Sequence, residues 1–202
     1  MKRALYIGVA VFILLYVLFF AGTKTIINYP SSGTTIVAFG DSLVEGVGAT
    51  RGQDFVSMLS SRVGEPIINL GISGDTTRDA LDRVDEVVGY NPKVVLLLFG
   101  GNDYLRKISK EETFSNLAKV ITTIQESGAV VVLLGVRGGL LRDNFEDEYA
   151  RLSEVYGTAY VPNVLDDLFG NPAFMSDAIH PNDEGYKIIA ERIEPVLERV
   201  IR

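Results

Sequence analysis

Five apolar runs of strand length, broken by a polar residue only at Asn69, punctuate residues 35–161 of this chain: Ile36–Phe39, Ile67–Leu70, Val94–Phe99, Val130–Val136 and Ala159–Val161. A strand with one wet face alternates apolar and polar residues. An unbroken apolar strand needs cover on both faces, which is the condition of a parallel sheet held between helices. The intervening stretches have helical length and amphipathic spacing, at about Asp54–Val63, Thr77–Val88, Lys110–Ser127, Asn144–Tyr156 and Asp183–Ile201. Ser109-Lys110-Glu111-Glu112 has the spacing of a capping box, and Gly128 marks the far end of that helix. The alternation predicts an α/β fold: a three-layer α/β/α sandwich on a five-stranded parallel sheet with right-handed crossovers.

Ahead of this unit, Ala4 to Gly22 run nineteen positions without a charge. At the helical rise this covers roughly 28 Å, about the hydrocarbon thickness of a bilayer. The stretch is longer than the apolar core of an ordinary signal peptide and no Ala-x-Ala site follows it. Residues 1–24 are therefore expected to be an uncleaved N-terminal membrane anchor, with a cleaved signal sequence as the alternative. Lys2 and Arg3 precede the span and Lys24 follows it. That bias leaves the amino terminus cytoplasmic and the rest outside, or released if the segment is removed. Residues 25–34, with Pro30, Ser31, Ser32 and Gly33, read as a linker, and residues 35–202 as one domain.

The chain has no cysteine, so neither disulfides nor thiolate chemistry are available. Its net charge of −7 becomes −10 once Lys2, Arg3 and Lys24 are set aside with the first 24 residues. Such a surface repels phosphate backbones, and nucleic acid is excluded as a partner.

In a parallel sheet, ligands bind beyond the carboxyl ends of the strands. Polar residues collect there: Gly40-Asp41-Ser42-Leu43 after the first run, Gly71-Ile72-Ser73-Gly74-Asp75-Thr76-Thr77 after the second, and Gly100-Gly101-Asn102-Asp103 after the third. Asp177-Ala178-Ile179-His180-Pro181 lies between the last strand and the final helix, and His180 is the only histidine. Taken singly, each cluster also suits a strand-to-helix turn, and Asp75 or Thr76 suits a helix cap. Their convergence on one rim supplies a complete chemistry. A serine hydroxyl is a poor nucleophile until a base takes its proton, and imidazole is the side chain suited to that at neutral pH. Ser42 and His180 are the expected nucleophile and base. Asp177, three residues before the histidine, can fold back to hold the other ring N–H. The backbone N–H of Ser42, the N–H of Gly74 and the side-chain amide of Asn102 are the candidate donors to a developing oxyanion. Asp41, Asp75 and Asp103 are expected to brace loops.

In these four blocks the chain resembles the SGNH, or GDSL, hydrolase superfamily, named for serine, glycine, asparagine and histidine. It is most similar to the bacterial arylesterase, lysophospholipase and acyl-CoA thioesterase type, through Ile72-Ser73-Gly74-Asp75-Thr76-Thr77, Gly100-Gly101-Asn102-Asp103 and Ile179-His180-Pro181-Asn182. The resemblance spans about residues 35 to 200. It implies a flavodoxin-like fold, a Ser42–His180–Asp177 triad, an oxyanion hole of Ser42, Gly74 and Asn102, and no metal or organic cofactor. Val44-Glu45-Gly46-Val47-Gly48 stands where that type has Ser-Ala-Gly-Tyr-Gly, and Arg137 to Arg142 replace its substrate-shaping loop.

The expected activity is hydrolysis of carboxylic esters or thioesters, with lysophospholipid, aryl or short acyl esters as small-molecule or lipid substrates. An O-acetylesterase acting on envelope polysaccharide is the alternative. Leu140, Leu141 and Phe174, with Phe145, Phe169 and Met175, are candidates to line an acyl groove. Two rivals of other kinds compete: a metal-dependent phosphoesterase, which needs several imidazoles where this chain has one, and an inactive membrane-tethered binding module. A dinucleotide-binding enzyme is disfavoured because no Gly-x-Gly-x-x-Gly follows any strand.

Overall fold

The apolar runs do form one sheet. A computed structural model describes residues 25–136 and 145–202. In chain order the elements are β1 (Thr35–Gly40), α1 (Ser42–Glu45), α2 (Phe55–Val63), β2 (Ile67–Gly71), α3 (Thr77–Gly89), β3 (Pro92–Leu98), α4 (Gly101–Leu105), α5 (Lys110–Glu126), β4 (Val130–Leu134), α6 (Phe145–Tyr156), β5 (Ala159–Val161) and α7 (Asp183–Ile201). All strand pairs are parallel, in the order β2-β1-β3-β4-β5. Helices α2 and α7 pack together on one face, and α3, α5 and α6 on the other. Central positions such as Val37, Phe39, Leu96, Leu97 and Val132 are fully buried. Each contributes about 1.5–3 kcal/mol by leaving water.

Helix starts follow local chemistry. Asp54 caps α2 by accepting from Ser57 N at 2.8 Å, and Asn182 caps α7 by accepting from Gly185 N at 3.1 Å. The reciprocal capping box belongs to α3: Thr76 N donates to Asp79 Oδ2 at 2.8 Å, and the Thr76 hydroxyl accepts from Asp79 N. At α5 only half of the expected box exists. Ser109 Oγ accepts from Glu112 N at 3.1 Å, but the Glu112 carboxylate is turned away to Arg78 on α3. An opposite charge across the helix interface is a stronger attraction for that carboxylate than a backbone N–H.

Residues 25–34 form neither helix nor strand, yet they are tied to the domain. Ile27 N donates to Gly157 O at 2.9 Å, Asn28 Nδ2 to Ala129 O at 3.0 Å, and Ser31 Oγ to Gly128 O at 2.8 Å. These partners precede β4 and β5, so the segment lies at the amino-terminal edge of the sheet. Among the described residues no helix is long and apolar enough to cross a membrane. The expected span, Ala4–Gly22, lies outside them, as do Leu140 and Leu141.

Candidate active site

At the opposite edge, β1 ends in a turn that puts Ser42 at the first position of α1. Asp41 caps this short helix, its Oδ1 accepting from Leu43 N at 3.0 Å. The turn is pressed against β3 so closely that a Cβ on Gly40 would lie 2.6 Å from Leu98 O. Only glycine permits that approach. Ser42 is buried except for its face toward a cleft.

His180 arrives from the loop between β5 and α7. Within that loop Met175 and Pro181 form an antiparallel bridge, Ser176 N donates to His180 O at 2.9 Å, and Asn182 N donates to Phe174 O at 2.9 Å. Asp177 folds back as the three-residue spacing predicts. Its Oδ1 accepts from Ile179 N at 2.8 Å and His180 N at 2.7 Å, and its Oδ2 meets His180 Nδ1 at 2.8 Å. The His180 side chain bonding to Asp177, followed by these two backbone N–H groups, pulls the carboxyl down to about 2. A carboxylate at Nδ1 assigns the proton to that nitrogen and leaves Nε2 as an acceptor. Nε2 lies 3.1 Å from Ser42 Oγ. A hydroxyl so placed can pass its proton to the imidazole as the oxygen attacks a carbonyl.

Asn102, on α4, spends its side-chain nitrogen on two oxygens: Asp75 O at 2.9 Å and Asp41 Oδ2 at 3.3 Å. Gly74 sits in the turn that Asn102 grips, with φ +87°, a left-handed conformation that favours glycine. Its carbonyl accepts from Arg106 at 2.7 Å. Among the described residues, neither Ser42 N nor Gly74 N finds an acceptor. Ser42 and Asn102 line the cleft, and Gly74 is not among its lining residues.

Three carboxyl groups back this edge, and each braces a loop. Asp75 pairs with Arg83 at 2.7 Å. Asp103 is fully buried and accepts from Thr77 N at 2.9 Å, from the Thr77 hydroxyl, and from Thr113 Oγ1 at 3.2 Å. It thereby locks α4 to the start of α3. Burial pushes Asp41 up to about 7, Asp103 and Asp75 push in the same direction, and the Leu43 N–H pulls the other way.

The cleft over Ser42 and His180 has a volume of about 290 Å³. Its apolar walls come from Tyr104, Leu105, Val136, Leu165, Phe169 and Ile179.

A model of the GDSL-like lipase/acylhydrolase family matches residues 38–188, three quarters of the chain. The chain belongs to that family. An arylesterase of Vibrio mimicus is 33% identical over 168 residues, covering 77% of this chain and 84% of the relative. Esterase TesA of Pseudomonas aeruginosa is 29% identical over 191 residues, covering 87% and 94%. A crystal structure of TesA superposes with a TM-score of 0.76 at 28% identity, over 83% of this chain and 99% of that one. This member of the GDSL-like family is an ester hydrolase of the α/β SGNH fold.

Among the groove candidates, Phe169 lines the cleft of this GDSL-like chain and Phe174 does not. Phe174 packs on the core, and its carbonyl clamps Asn182 at the start of α7. Phe145 is buried against Tyr104 and Phe114, and Met175 is held in its bridge to Pro181. The walls that sequence reasoning missed have different origins. Tyr104 and Leu105 directly follow Asn102-Asp103 on a helix too short to show periodicity, so adjacency was the available signal. Val136 closes the apolar run Val130–Val136, whose strand stops at Leu134, and Leu165 comes from a loop with no pattern to read.

Proposed function

We propose that this ester hydrolase works through a serine acyl-enzyme, with Ser42 as nucleophile, His180 as base and then acid, and Asp177 holding the imidazole. The observation that carries the reading is the continuous relay from Asp177 Oδ2 to His180 Nδ1 at 2.8 Å and from Nε2 to Ser42 Oγ at 3.1 Å. Attack on the acyl carbon moves charge onto the carbonyl oxygen. The N–H groups of Ser42 and Gly74 and the Asn102 amide are the donors within reach of that rim. The imidazolium returns its proton to the departing alcohol or thiol, and water repeats the cycle to release the acid.

The substrate we infer is a carboxylic ester or thioester with one slender acyl or aryl group. Support comes from the apolar walls and from a volume of about 290 Å³, at the small end of ligand clefts. The similar proteins, an arylesterase and an esterase, agree with that class. Rates over p-nitrophenyl esters from acetyl to palmitoyl test it: a maximum at short or medium chains is expected, and steady growth to palmitoyl would remove it. An uncharged fluorophosphonate should label wild type and not Ser42→Ala. Labelling of both would overturn the nucleophile assignment, and labelling of neither would revive the inactive binding module. Turnover should be insensitive to a chelator, in contrast to a metal-dependent phosphoesterase. Among the described residues no His, Cys, Asp and Glu side chains group as a metal site.

A second reading, O-acetyl esters of envelope polysaccharide, is favoured by one observation. Residues 25–31 are pinned at the end of the sheet remote from Ser42. If residues 1–24 anchor the domain outside a membrane, the cleft faces away from that membrane, toward extended polymers. Carbonate extraction of the full chain tests the anchor, and acetate release from acetylated glycan tests the substrate.

A further inference from the structure

We propose that Asp41 is the positioning residue of the oxyanion hole: its second carboxyl oxygen aims the Asn102 amide, then yields that hydrogen bond to the charge that develops on the substrate. The inference rests on the reading of Asn102 as an oxyanion donor.

Capping explains only half of Asp41. Its Oδ1 satisfies Leu43 N at 3.0 Å, a task that serine or asparagine performs equally well. Its Oδ2 has one partner among the described residues, Asn102 Nδ2 at 3.3 Å. Meanwhile the residue is 3% exposed, and among the described residues no cation pairs with its carboxyl. The nearby guanidinium of Arg83 is committed to Asp75. Among the described residues, the titratable groups shown to bear on Asp41 are Asp103, Asp75 and Tyr186, none of which is a cation. A buried carboxyl without a positive partner is costly and needs a reason.

The geometry around Asn102 supplies that reason. One amide hydrogen is fixed on Asp75 O at 2.9 Å, a bond of ordinary strength. The other points to Asp41 Oδ2 at 3.3 Å, a long and weak bond. Both oxygens together fix the plane of the amide before substrate arrives, so no reorganisation is needed during the reaction. The weaker bond is the one exchanged. Asp41 also lines the cleft beside Ser42, so the hydrogen is released over a short distance.

The test is a double-mutant cycle on the full chain with p-nitrophenyl acetate. Asp41→Asn keeps an oxygen for Leu43 N and sets an NH2 group against the NH2 group of Asn102. It should lower kcat by about 10- to 100-fold with KM changed less than about twofold, a smaller loss than the roughly 100- to 1000-fold for removing the donor itself in Asn102→Ala. In the Asn102→Ala background, Asp41→Asn should cost less than about twofold. Equal costs in both backgrounds, or a rise in KM with kcat intact, would overturn the proposal while leaving Asn102 its role. If Asn102→Ala itself is without effect, both readings fall together. Asp41→Ser, which can cap but has no second oxygen, replaces Asp41→Asn in the same cycle if the latter does not fold. The melting temperature of each variant separates lost packing from lost aim.

Discussion

Asp177 holds His180 at two places at once: Oδ1 accepts the backbone N–H at 2.7 Å, and Oδ2 meets Nδ1 at 2.8 Å. The carboxylate thus fixes the loop and the ring with one side chain. Asp177→Asn should lower kcat on the order of 1000-fold, because an amide at Nδ1 admits the wrong tautomer. Turnover of p-nitrophenyl acetate checks this, and a loss under tenfold would contradict it.

Ser42→Ala and His180→Ala are each expected to remove at least about 1000-fold of the turnover, and the double variant no more than either alone. Residues that act as one unit are non-additive in this way. Additive losses in the double variant would show that the two do not share a step.

Asp177 should add no proton to the acid side of the pH profile. Asp177, at about 2, stays ionised throughout the range in which the protein is assayed. Log kcat/KM should therefore rise with no more than unit slope on the acid side. A slope of two on the acid limb would place a second essential group there.

Asp41 leaves a mark on stability. Its folded pKa, about 7, lies above the ordinary carboxyl value of 3.8. Between those values the unfolded chain has lost this proton and the folded one has kept it. The contribution to stability is whole below about pH 4, falls as pH rises to about 7, and is level beyond that. Urea melts at pH 4.5 and 7 should show wild type losing more stability over that interval than Asp41→Asn. Equal losses would place the titration elsewhere.

Asp103→Ala leaves the buried Thr77 N–H without its acceptor and frees two hydroxyls. A cost of roughly 3 kcal/mol and a fall in melting temperature of the order of 10 °C are expected. Calorimetry reads both, and an unchanged transition would mean that the brace is dispensable.

The sheet is legible in the sequence because its strands are buried on both faces and carry no polar interruptions. β2 is the exception that marks an edge: its Asn69 is exposed, and the amide bonds Val44 O at 2.7 Å. Helices α1 and α4 are not legible, since four or five residues cannot complete a periodic pattern. Ser42, Asp177 and His180 could be brought together from topology and chain direction alone. Leu165 could not, because it comes from a loop without a periodic pattern. Glu112 shows a further limit. Its spacing from Ser109 specifies a capping partner, while an arginine on another helix claims it.

Ser42 and His180 are separated by 138 residues, whereas Asp177 and His180 are separated by 3. In the proposed mechanism the base and its carboxylate come ready-made on one loop, and the nucleophile is set far back along the polypeptide. A nascent or truncated chain lacking the last loop holds a serine with nothing to ionise it. On that mechanism, restored turnover after dilution from denaturant reports that both segments have found each other.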